Sequence, residues 1–244
     1  MSRFYVPPHS IAGGEIRLEG RQRHHMIEVM RMCAGEDVVV FDGTGNEYEG
    51  VISEVGLKSA TIKIMRRRTL SAKKKVSIIL IQAIPKRGRM DWIVEKSTEL
   101  GVSRIVPVVT KRTIVRFDPK RRSSKVERWR RISVEAAKQC GRTDIPGVEE
   151  IMRFEDILKS GTFSGRAIMP CLDPRTRIIQ DALEAAACED GYSVIIGPEG
   201  GFTAAEITAG AKRGILPVSL GQTVLRSETA AIMAISLIRS LCMR

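Results

Sequence analysis

A glycine-rich loop near residue 200 has the composition of a ligand-binding loop. The apolar run 193–196 is typical of a buried strand, and the sequence Gly-Pro-Glu-Gly-Gly follows it directly. Thr203 and Glu206 then form the pattern of a capping box, which predicts a helix start. Loops at the carboxyl ends of parallel strands bind ligands in α/β sheets, and glycines let backbone groups approach a flat ligand. We therefore predict a ligand-binding loop, although a plain strand–helix connection would explain the strand and the cap.

A second loop carries charged side chains that could act on a substrate. The predicted strand 217–220 leads into a loop that brings Arg226 and Glu228 to the start of the last helix. Capping is a sufficient structural explanation for Glu228, because a helix N-terminus favours negative charge. Arg226 has no structural need to be there, and an arginine beside a ligand crevice can grip phosphate or orient a base. The loop is thus a candidate catalytic site.

A third glycine-containing stretch, residues 40–45, is predicted to be a turn. It resembles the first loop of Rossmann-type methyltransferases, which works only where a helix N-terminus follows. Here residues 47–52 have the pattern of another strand, and Asp-Gly and Gly-Asn pairs between two strands are typical of hairpins. We therefore interpret residues 40–45 as a hairpin turn and not as a cofactor loop.

The sequence lacks the patterns of common metal and hydrolase sites. It contains no HExxH, GxSxG or Walker A sequence, and its five cysteines include no CxxC pair. The adjacent residues His24 and His25 cannot chelate one metal from a single helix face, so we predict no metal. Scattered cysteines fit reduced thiols that fill apolar space. Without a signal peptide or an apolar run of about 20 residues, we expect a cytoplasmic protein with no membrane partner.

Positive charge is concentrated in the middle of the chain. The net charge is +12, and residues 63–142 hold 24 Lys and Arg against 6 Asp and Glu. The rest of the chain holds 16 basic and 22 acidic residues, so this segment carries more than the whole excess. A single basic run is usually a solvated face, but this segregation favours a polyanionic partner. Nucleic acid is favoured over an acidic membrane, because no basic helix with a lipid-facing apolar side accompanies the charge.

Hydrophobic periodicity predicts two structural regions. Residues 1–68 have the pattern of a small β-barrel of five or six strands, with strands at 38–41, 48–55 and 60–65 and a helix at 24–32. Residues 69–75 resemble a linker, and strands then alternate with helices, which predicts an α/β domain with a mainly parallel sheet. The predicted strands there are 76–81, 105–109, 166–169, 193–196 and 217–220; the predicted helices are 90–100, 124–140, 179–188, 203–213 and 227–243.

One predicted helix is amphipathic. Along residues 124–140, the positions expected on the buried stripe are Trp129, Ile132, Ser133, Ala136 and Cys140. Lys125, Arg128 and Arg131 fall on other faces. The helix should therefore pack its apolar stripe on the sheet and leave its basic side chains in solvent.

Several short segments along the chain match one family pattern. They are Arg3-Phe4-Tyr5, Gln82-Ala83, Pro85-Lys86, 95–102, Arg128-Trp129, 135–142, 196–202, 220–221 and 225–230. In this order they closely resemble the ribosomal RNA small-subunit methyltransferase E family, a branch of the SPOUT methyltransferases, over nearly the whole chain. One departure is the basic stretch 86–90, where the family pattern has a more acidic or Gly-rich turn. It affects the expected RNA contacts and not the expected reaction.

The resemblance implies a fold and an assembly. It implies a PUA-like β-barrel that helps to bind RNA over residues 1–70, and an α/β SPOUT methyltransferase domain with a mainly parallel sheet over residues 71–244. In such proteins the second domain is tied in a trefoil knot, and the protein is a homodimer. Knots are otherwise very rare, so this expectation rests on the resemblance alone.

The resemblance also implies a reaction, the methylation of a uridine at N3 in 16S ribosomal RNA of the small ribosomal subunit. The methyl donor would be S-adenosylmethionine (S-adenosyl-L-methionine), with no metal. The candidate cofactor-binding residues are Met169, Leu172, Ile196, Gly197, Pro198, Glu199, Gly200, Gly201, Leu220, Gly221, Leu225, Thr229 and Ala230. The candidate RNA-binding residues are Arg3, Lys86, Arg87, Arg112, Arg128 and Arg142.

The chemistry of the reaction suggests roles for the charged loop residues. N3 lies on the Watson–Crick edge, so the uridine must be unpaired or flipped out, and its proton must be removed. Arg226 is the candidate for orienting the uracil or stabilising negative charge on its oxygens, and Glu228 for holding Arg226 or serving as the base. Two alternatives remain open at this point: an RNA-binding assembly factor without catalysis, and a SPOUT enzyme that methylates another atom, such as a ribose 2′-hydroxyl.

Overall fold

The computed structural model describes residues 2–69, 76–115, 118–163, 165–173, 176–184 and 191–242. The chain divides into two compact units. The first comprises Met1–Lys74 and Ala137–Ile145, and the second comprises Lys75–Ala136 and Pro146–Arg244. Within the described ranges, no helix combines the length and the apolar composition that crossing a bilayer requires.

The first unit is built around a six-stranded sheet. Its strands are β1 (Ser2–Tyr5), β2 (Ile11–Ala12), β3 (Glu15–Glu19), β4 (Asp37–Phe41), β5 (Asn46–Val55) and β6 (Ser59–Thr69). They lie in the order β1-β4-β5-β6-β3-β2, and every pair except β1–β4 is antiparallel. Alternate side chains, such as Ile16 and Leu18 of β3, enter one apolar core, as the period of a strand requires. The three strands predicted here are confirmed.

The helix predicted at 24–32 is confirmed in part, because helical structure runs from Gly20 to Val29 and its second half is a π-helix. α1 (Gly20–His24) begins earlier, and His25–Val29 continue it as one π-helical turn. Met26 is buried, whereas Val29 and Met30 are exposed. A π turn is wider than an α turn, so the 3.6-residue period does not describe which side chains of this segment are buried.

The stretch 40–45 connects two antiparallel strands, so its interpretation as a hairpin turn is confirmed. The buried carboxylate of Asp42 organises this turn. It accepts hydrogen bonds from the backbone N–H groups of Thr44 and Asn46 at 2.8 and 3.3 Å. It also accepts bonds from the side chains of Thr44 and Asn46, both at 2.7 Å, and from the Tyr48 hydroxyl at 3.2 Å. Burial alone would raise the pKa of Asp42, but the hydrogen bonds outweigh it and lower the pKa.

The segment Ala137–Ile145 packs against this turn. The N–H of Ile145 donates to the Gly43 carbonyl, and the N–H of Gly45 donates to the Thr143 carbonyl, both at 3.1 Å. A side chain at Gly43 would meet Ile145 at 2.9 Å, and the φ of Gly43 is +78°, so only glycine fits this contact without strain. The turn therefore binds a segment of the chain that is distant in the sequence.

The second unit contains an eight-stranded sheet. Its strands are β7 (Ser77–Ala83), β8 (Arg104–Val109), β9 (Gly147–Val148), β10 (Met152–Arg153), β11 (Arg166–Pro170), β12 (Arg177–Ile178), β13 (Gly191–Ile196) and β14 (Leu216–Ser219). The order is β10-β8-β7-β13-β11-β14-β12, with β9 also paired to β8, and the pairs are all parallel. The prediction of a mainly parallel α/β sheet is confirmed.

Helices cover both faces of this sheet. They are α2 (Met90–Glu99), α3 (Pro119–Cys140), α4 (Phe154–Ser160), α5 (Ile179–Glu184), α6 (Ala204–Ala211) and α7 (Ser227–Cys242). One apolar layer joins the sheet to α2, α3, α5 and α7, and the other joins it to α4 and α6. The predicted strands and helices of this region are confirmed with small shifts at their ends. Residues 185–188 and 243, which belong to two predicted helices, lie outside the described residues.

The expected burial of cysteines is wrong at two positions. On α3, Trp129, Ser133 and Ala136 are buried as predicted, but Cys140 is exposed. Cys140 is the last residue of α3, so it lies past the part of the stripe that packs on the sheet. Cys33 is exposed in the loop before β4. A periodic stripe therefore predicts burial only where a neighbouring element covers it.

Candidate active site

The candidate cofactor-binding residues belong mainly to three loops, which meet at one edge of the parallel sheet. They follow β11, β13 and β14, which are adjacent because β11 pairs with both of the others. All three strands run in the same direction, so their carboxyl ends meet at the same edge. Segments that are far apart in the sequence, near residues 170, 197 and 221, are thereby brought together.

The loop after β13 is shaped by its glycines. The N–H of Gly201 donates to the Pro198 carbonyl at 2.8 Å and closes a turn, in which Gly201 has a φ of +65°. A side chain at Gly197 would approach the Phe202 ring at 3.1 Å. Thr203 and Glu206 form the predicted capping box at the start of α6, with both reciprocal bonds present. The backbone of residues 197–201 is thus compact, and the capping box fixes the direction in which the chain enters α6.

Arg112 braces the same loop from another element. Its Nη1 donates to the Gly200 carbonyl at 2.7 Å and to the Phe202 carbonyl at 3.3 Å. The neighbouring N–H of Lys111 donates to the Glu206 carboxylate at 2.8 Å. Arg112 is predicted to bind RNA, and it remains exposed, but part of its guanidinium already holds the glycine loop.

The N-terminus of α7 is tied to the loop by a buried serine. The Ser227 hydroxyl donates to the Gly197 carbonyl at 2.6 Å and accepts a bond from Nε2 of Gln82 at 2.9 Å. Gln82 is fully buried at the carboxyl end of β7, and its Nε2 also donates to the Ala83 carbonyl at 2.8 Å. Its Oε1 is buried and has no hydrogen-bond partner within the described residues.

The two candidate catalytic residues lie on either side of this serine. Glu228 forms an ion pair through Oε1 with Nη1 of Arg89 at 2.7 Å, while its Oε2 is buried without a hydrogen-bond partner in the described part of the chain. Arg226 is exposed, and its guanidinium forms no ion pair with any described residue. The structure therefore pairs Glu228 with Arg89, a residue that the sequence did not single out, and leaves Arg226 available.

The remaining predicted cofactor residues differ in accessibility. Met169 and Ile196 are buried in the apolar layers of the sheet, so only their backbones could reach a ligand. Leu172 is 73% exposed in the loop after β11. The other candidates lie in the loops after β13 and β14 or in the first turn of α7. Pro198 is buried, Leu220, Leu225 and Ala230 are half-buried, and Glu199, Gly221 and Thr229 are exposed. The carboxylate of Glu199 accepts a bond from the N–H of Lys86 at 2.9 Å, which joins the loop after β7 to the site.

The predicted RNA-binding residues fall in both units. In the second unit, Lys86 and Arg87 are exposed in the loop after β7, and Arg128 is half exposed on α3 beside Asp91, with its Nη2 at 2.8 Å from the carboxylate. The Asp91 carboxylate raises the pKa of Arg128 by hydrogen bonding. These side chains place positive charge beside the carboxyl edge of the sheet and on the helix that packs near it.

The other two are largely buried in the first unit. The Arg3 guanidinium stacks 4.5 Å above the Phe41 ring and lies 3.0 Å from the Glu47 carboxylate. Arg142 forms an ion pair with Asp144 at 2.6 Å. Both side chains already have partners inside the protein, which gives each a structural role alongside the predicted contact with RNA.

Sequence reasoning missed three residues of the site: Gln82, Arg89 and Ser227. The signal for Gln82 was available, since an amide inside an otherwise apolar strand is costly to bury. Arg89 and Ser227 gave no such signal, because each meets its partner only after folding. Arg89 lies 139 residues from Glu228, and Ser227 lies 30 residues from Gly197.

The fold and the site together define a class of protein, the parallel α/β proteins that bind ligands in loops at the carboxyl edge of the sheet. Comparison with known families makes this specific. A model of the RNA methyltransferase domain matches residues 72–239, and a model of the RNA methyltransferase PUA domain matches residues 18–65. The chain belongs to the RNA methyltransferase family, with an N-terminal PUA domain.

Individual relatives agree with this assignment. The chain is 28% identical over 237 residues to ribosomal RNA small subunit methyltransferase E of Bacillus subtilis, covering 96% of this chain and 90% of that protein. It is 31% identical to the solved structure of ribosomal RNA small subunit methyltransferase E from Neisseria gonorrhoeae bound to S-adenosyl methionine, with a TM-score of 0.86 and coverage of 99% and 98%. A Legionella pneumophila structure solved in complex with bound SAM is 32% identical, with a TM-score of 0.87 and coverage of 98% and 97%. The resemblance predicted from the sequence is confirmed.

Proposed function

We propose that this protein transfers a methyl group from S-adenosylmethionine to N3 of a uridine in 16S ribosomal RNA. The observation that carries the proposal is the meeting of three loops, after β11, β13 and β14, at one edge of the parallel sheet. Relatives named for methylation of small-subunit ribosomal RNA, one of them with the cofactor bound, support the choice of substrate and methyl donor.

The residues at this edge suit such a cofactor. Glycines in the loop after β13 leave backbone groups open to a flat ligand, and Gly221 supplies the same freedom after β14, with a φ of +115°. The exposed apolar side chains of Leu172 and Val224 flank the edge. We propose that the cofactor is held by Leu172, Leu225 and the backbones of residues 169, 196–201 and 220–221, with Thr229 and Ala230 behind them. When bound, the cofactor supplies a methyl group activated on a sulfonium.

Arg226 and Glu228 are proposed to act on the uracil. A carbon–nitrogen bond forms at N3 as the bond from that carbon to sulfur breaks, and the N3 proton passes to an acceptor. The exposed guanidinium of Arg226 can stabilise negative charge on the uracil oxygens. Oε2 of Glu228, which the ion pair with Arg89 leaves free, is the proposed acceptor. A Glu228→Gln variant with the wild-type rate and pH profile would remove Glu228 from this role.

The cationic side chains are proposed to grip RNA phosphates. Lys86, Arg87, Arg112 and Arg128 lie on exposed parts of the second unit. We also propose that residues 1–70 form the RNA-binding domain and residues 71–244 the catalytic domain, and that Arg3 and Arg142 contribute from the first unit. We further propose that the protein is a homodimer and that its catalytic domain is tied in a trefoil knot. It would act in the cytoplasm on the small ribosomal subunit.

The decisive experiment is a methyl-transfer assay. Purified protein is incubated with labelled S-adenosylmethionine and small ribosomal subunits from cells that lack this protein, and the RNA is digested to nucleosides for mass spectrometry. Labelled 3-methyluridine is the expected product. Label on a ribose 2′-hydroxyl would mean that another atom is the target. Tight RNA binding without cofactor binding or label would favour an assembly factor that has no catalytic activity.

A further inference from the structure

The buried amide of Gln82 is the least expected polar group in the second unit. In β7, Ile78 and Leu80 face the apolar layer that contains α7, while Ile79 and Ile81 face the opposite layer. By this alternation Gln82 faces α7, at a position where its neighbours on the same face are apolar. A strand of this composition would accept a leucine or methionine there without the desolvation penalty that an amide brings.

The hydrogen bonds of Gln82 form a directed chain. Its Nε2 donates to Ser227 Oγ at 2.9 Å, and Ser227 Oγ in turn donates to the Gly197 carbonyl at 2.6 Å. The other Nε2 bond goes to the Ala83 carbonyl. Exchanging the amide oxygen and nitrogen would place two acceptors against each other at Ala83, so the orientation of the amide is fixed. The chain begins on β7, passes through the first residue of α7 and ends at the first residue of the loop after β13.

The acceptor side of the amide is left unsatisfied. Gln82 Oε1 is buried, and no described residue donates a hydrogen bond to it. An unmet acceptor in the interior is costly, so the amide at this position carries a cost that an apolar side chain would not. What the amide provides in return is the link between two segments of the proposed active site.

We infer that Gln82 is a positioning residue that sets the cofactor loop and the catalytic helix start relative to each other. Through Ser227 it fixes the Gly197 carbonyl, and hence the peptide that opens the loop 197–201. The same serine lies between Arg226 and Glu228, so the start of α7 is fixed in the same step. This inference rests on the proposed function, because it assumes that the loop binds the methyl donor. Gln82 itself touches neither reactant in this scheme.

The test removes each end of the link and compares cofactor binding with stability. Gln82→Met keeps an unbranched side chain but removes the donors, and Ser227→Ala removes the hydroxyl. Ser133→Ala is a matched control, because Ser133 is also buried in the second unit and donates to a backbone carbonyl, that of Pro146 at 3.1 Å. The dissociation constant for S-adenosylmethionine is measured by calorimetry, and the unfolding temperature is measured on the same samples.

Gln82→Met and Ser227→Ala should each raise this dissociation constant about tenfold, the equivalent of one hydrogen bond. The KM for the cofactor should rise with it, while the KM for RNA stays unchanged. In the double variant, the dissociation constant should be at most about twofold higher than in the single variant that binds the cofactor more weakly. Both changes break the same chain of hydrogen bonds, so their effects should not add. Ser133→Ala should lower the unfolding temperature about as much as Ser227→Ala does and leave cofactor binding as in the wild type.

Two results would overturn the inference. One is wild-type cofactor affinity in both Gln82→Met and Ser227→Ala, and the other is an equal loss of affinity in Ser133→Ala. If Gln82→Met does not fold, Ser227→Ala alone decides, since it deletes only one oxygen atom. Failure of the wild-type protein to bind S-adenosylmethionine would instead contradict the proposed function, so the two failures are distinguishable.

Discussion

The glycine-rich stretch 40–45 begins in the last residues of β4 and the stretch 197–201 follows β13, yet the two are held in different ways. The first is held largely from within, because the Asp42 carboxylate accepts bonds from the turn itself and from Tyr48 near the start of β5. Two backbone bonds, with Thr143 and Ile145, connect it to a distant segment. The second has one bond of its own, from Gly201 to Pro198, and is otherwise held from outside by Arg112 and Ser227, which come from other elements. The first turn is followed by a strand and the second by a helix.

This difference is the one that we expect between a structural turn and the proposed cofactor-binding loop. A turn that satisfies its own polar groups has little left to offer a ligand and gains stability from closing on itself. A loop held by distant side chains keeps its backbone in a set position without using up all of its own donors and acceptors. Substitutions in the first stretch should therefore change stability, and substitutions around the second should change cofactor binding and rate.

The largest expected effect is on catalysis and comes from Arg226. Arg226→Ala should lower the single-turnover rate of methyl transfer by roughly 100-fold, as loss of one charge-stabilising group does in other active sites. The unfolding temperature should not change, because Arg226 is exposed and unpaired among the described residues. Arg213→Ala, at an exposed arginine in the turn after α6, is the control. Turnover at the wild-type rate in Arg226→Ala would exclude its proposed role.

The next effect is on stability and comes from Asp42. Asp42→Asn replaces an acceptor of five hydrogen bonds by a group that accepts with only one oxygen, so the first unit should lose about 2 kcal/mol of stability. Hydrogen–deuterium exchange should become faster at the amides of β4 and β5. Both tryptophans, Trp92 and Trp129, lie in the second unit, so the transition followed by tryptophan fluorescence should stay in place. Weaker cofactor binding in Asp42→Asn would contradict the expectation that the turn at 40–45 affects stability alone.

The same carboxylate should give the first unit a pH dependence. The pKa of Asp42 is lower in the folded protein than its ordinary value, so its stabilising contribution is complete above that ordinary value, about 4, and is lost as the pH falls through the folded pKa. The difference in exchange protection between wild type and Asp42→Asn should be constant from about pH 5 to 7. Below about pH 4 it should shrink. A difference that grows with acid would mean that Asp42 is not held as the charged form.

The smallest expected effect comes from Arg112, which braces the second stretch from an exposed position. Arg112→Met keeps most of the aliphatic stem and loses both bonds to the loop carbonyls, so the dissociation constant for S-adenosylmethionine should rise about threefold to fivefold. Arg87→Met, at an exposed arginine without such bonds to the loop, should leave this constant unchanged. If both variants weakened RNA binding equally and neither affected the cofactor, Arg112 would serve only as a phosphate contact.

Much of the fold could be predicted because local sequence carries it. The apolar run of β7, the capping box at Thr203 and Glu206 and the turn residues after β4 each depend on neighbours within a few positions. Prediction was wrong where periodicity alone does not decide whether a side chain is buried or which type of helix forms. Cys140 continues the stripe of α3 but lies past its packed part, and the segment His25–Val29 forms a π turn that a 3.6-residue period does not describe.

The sequence by itself determined the alternation of strands and helices, the two candidate loops and the segregation of positive charge, because periodicity, turn chemistry and composition are local properties. Only the tertiary structure decided which side chains meet. It paired Glu228 with Arg89 and joined Gln82 to Ser227, 139 and 145 residues apart, and it placed the ends of β11, β13 and β14 side by side. These contacts depend on strand order and burial. An amide inside an apolar strand marks Gln82 as unusual, but nothing in its local sequence identifies the residue that it meets.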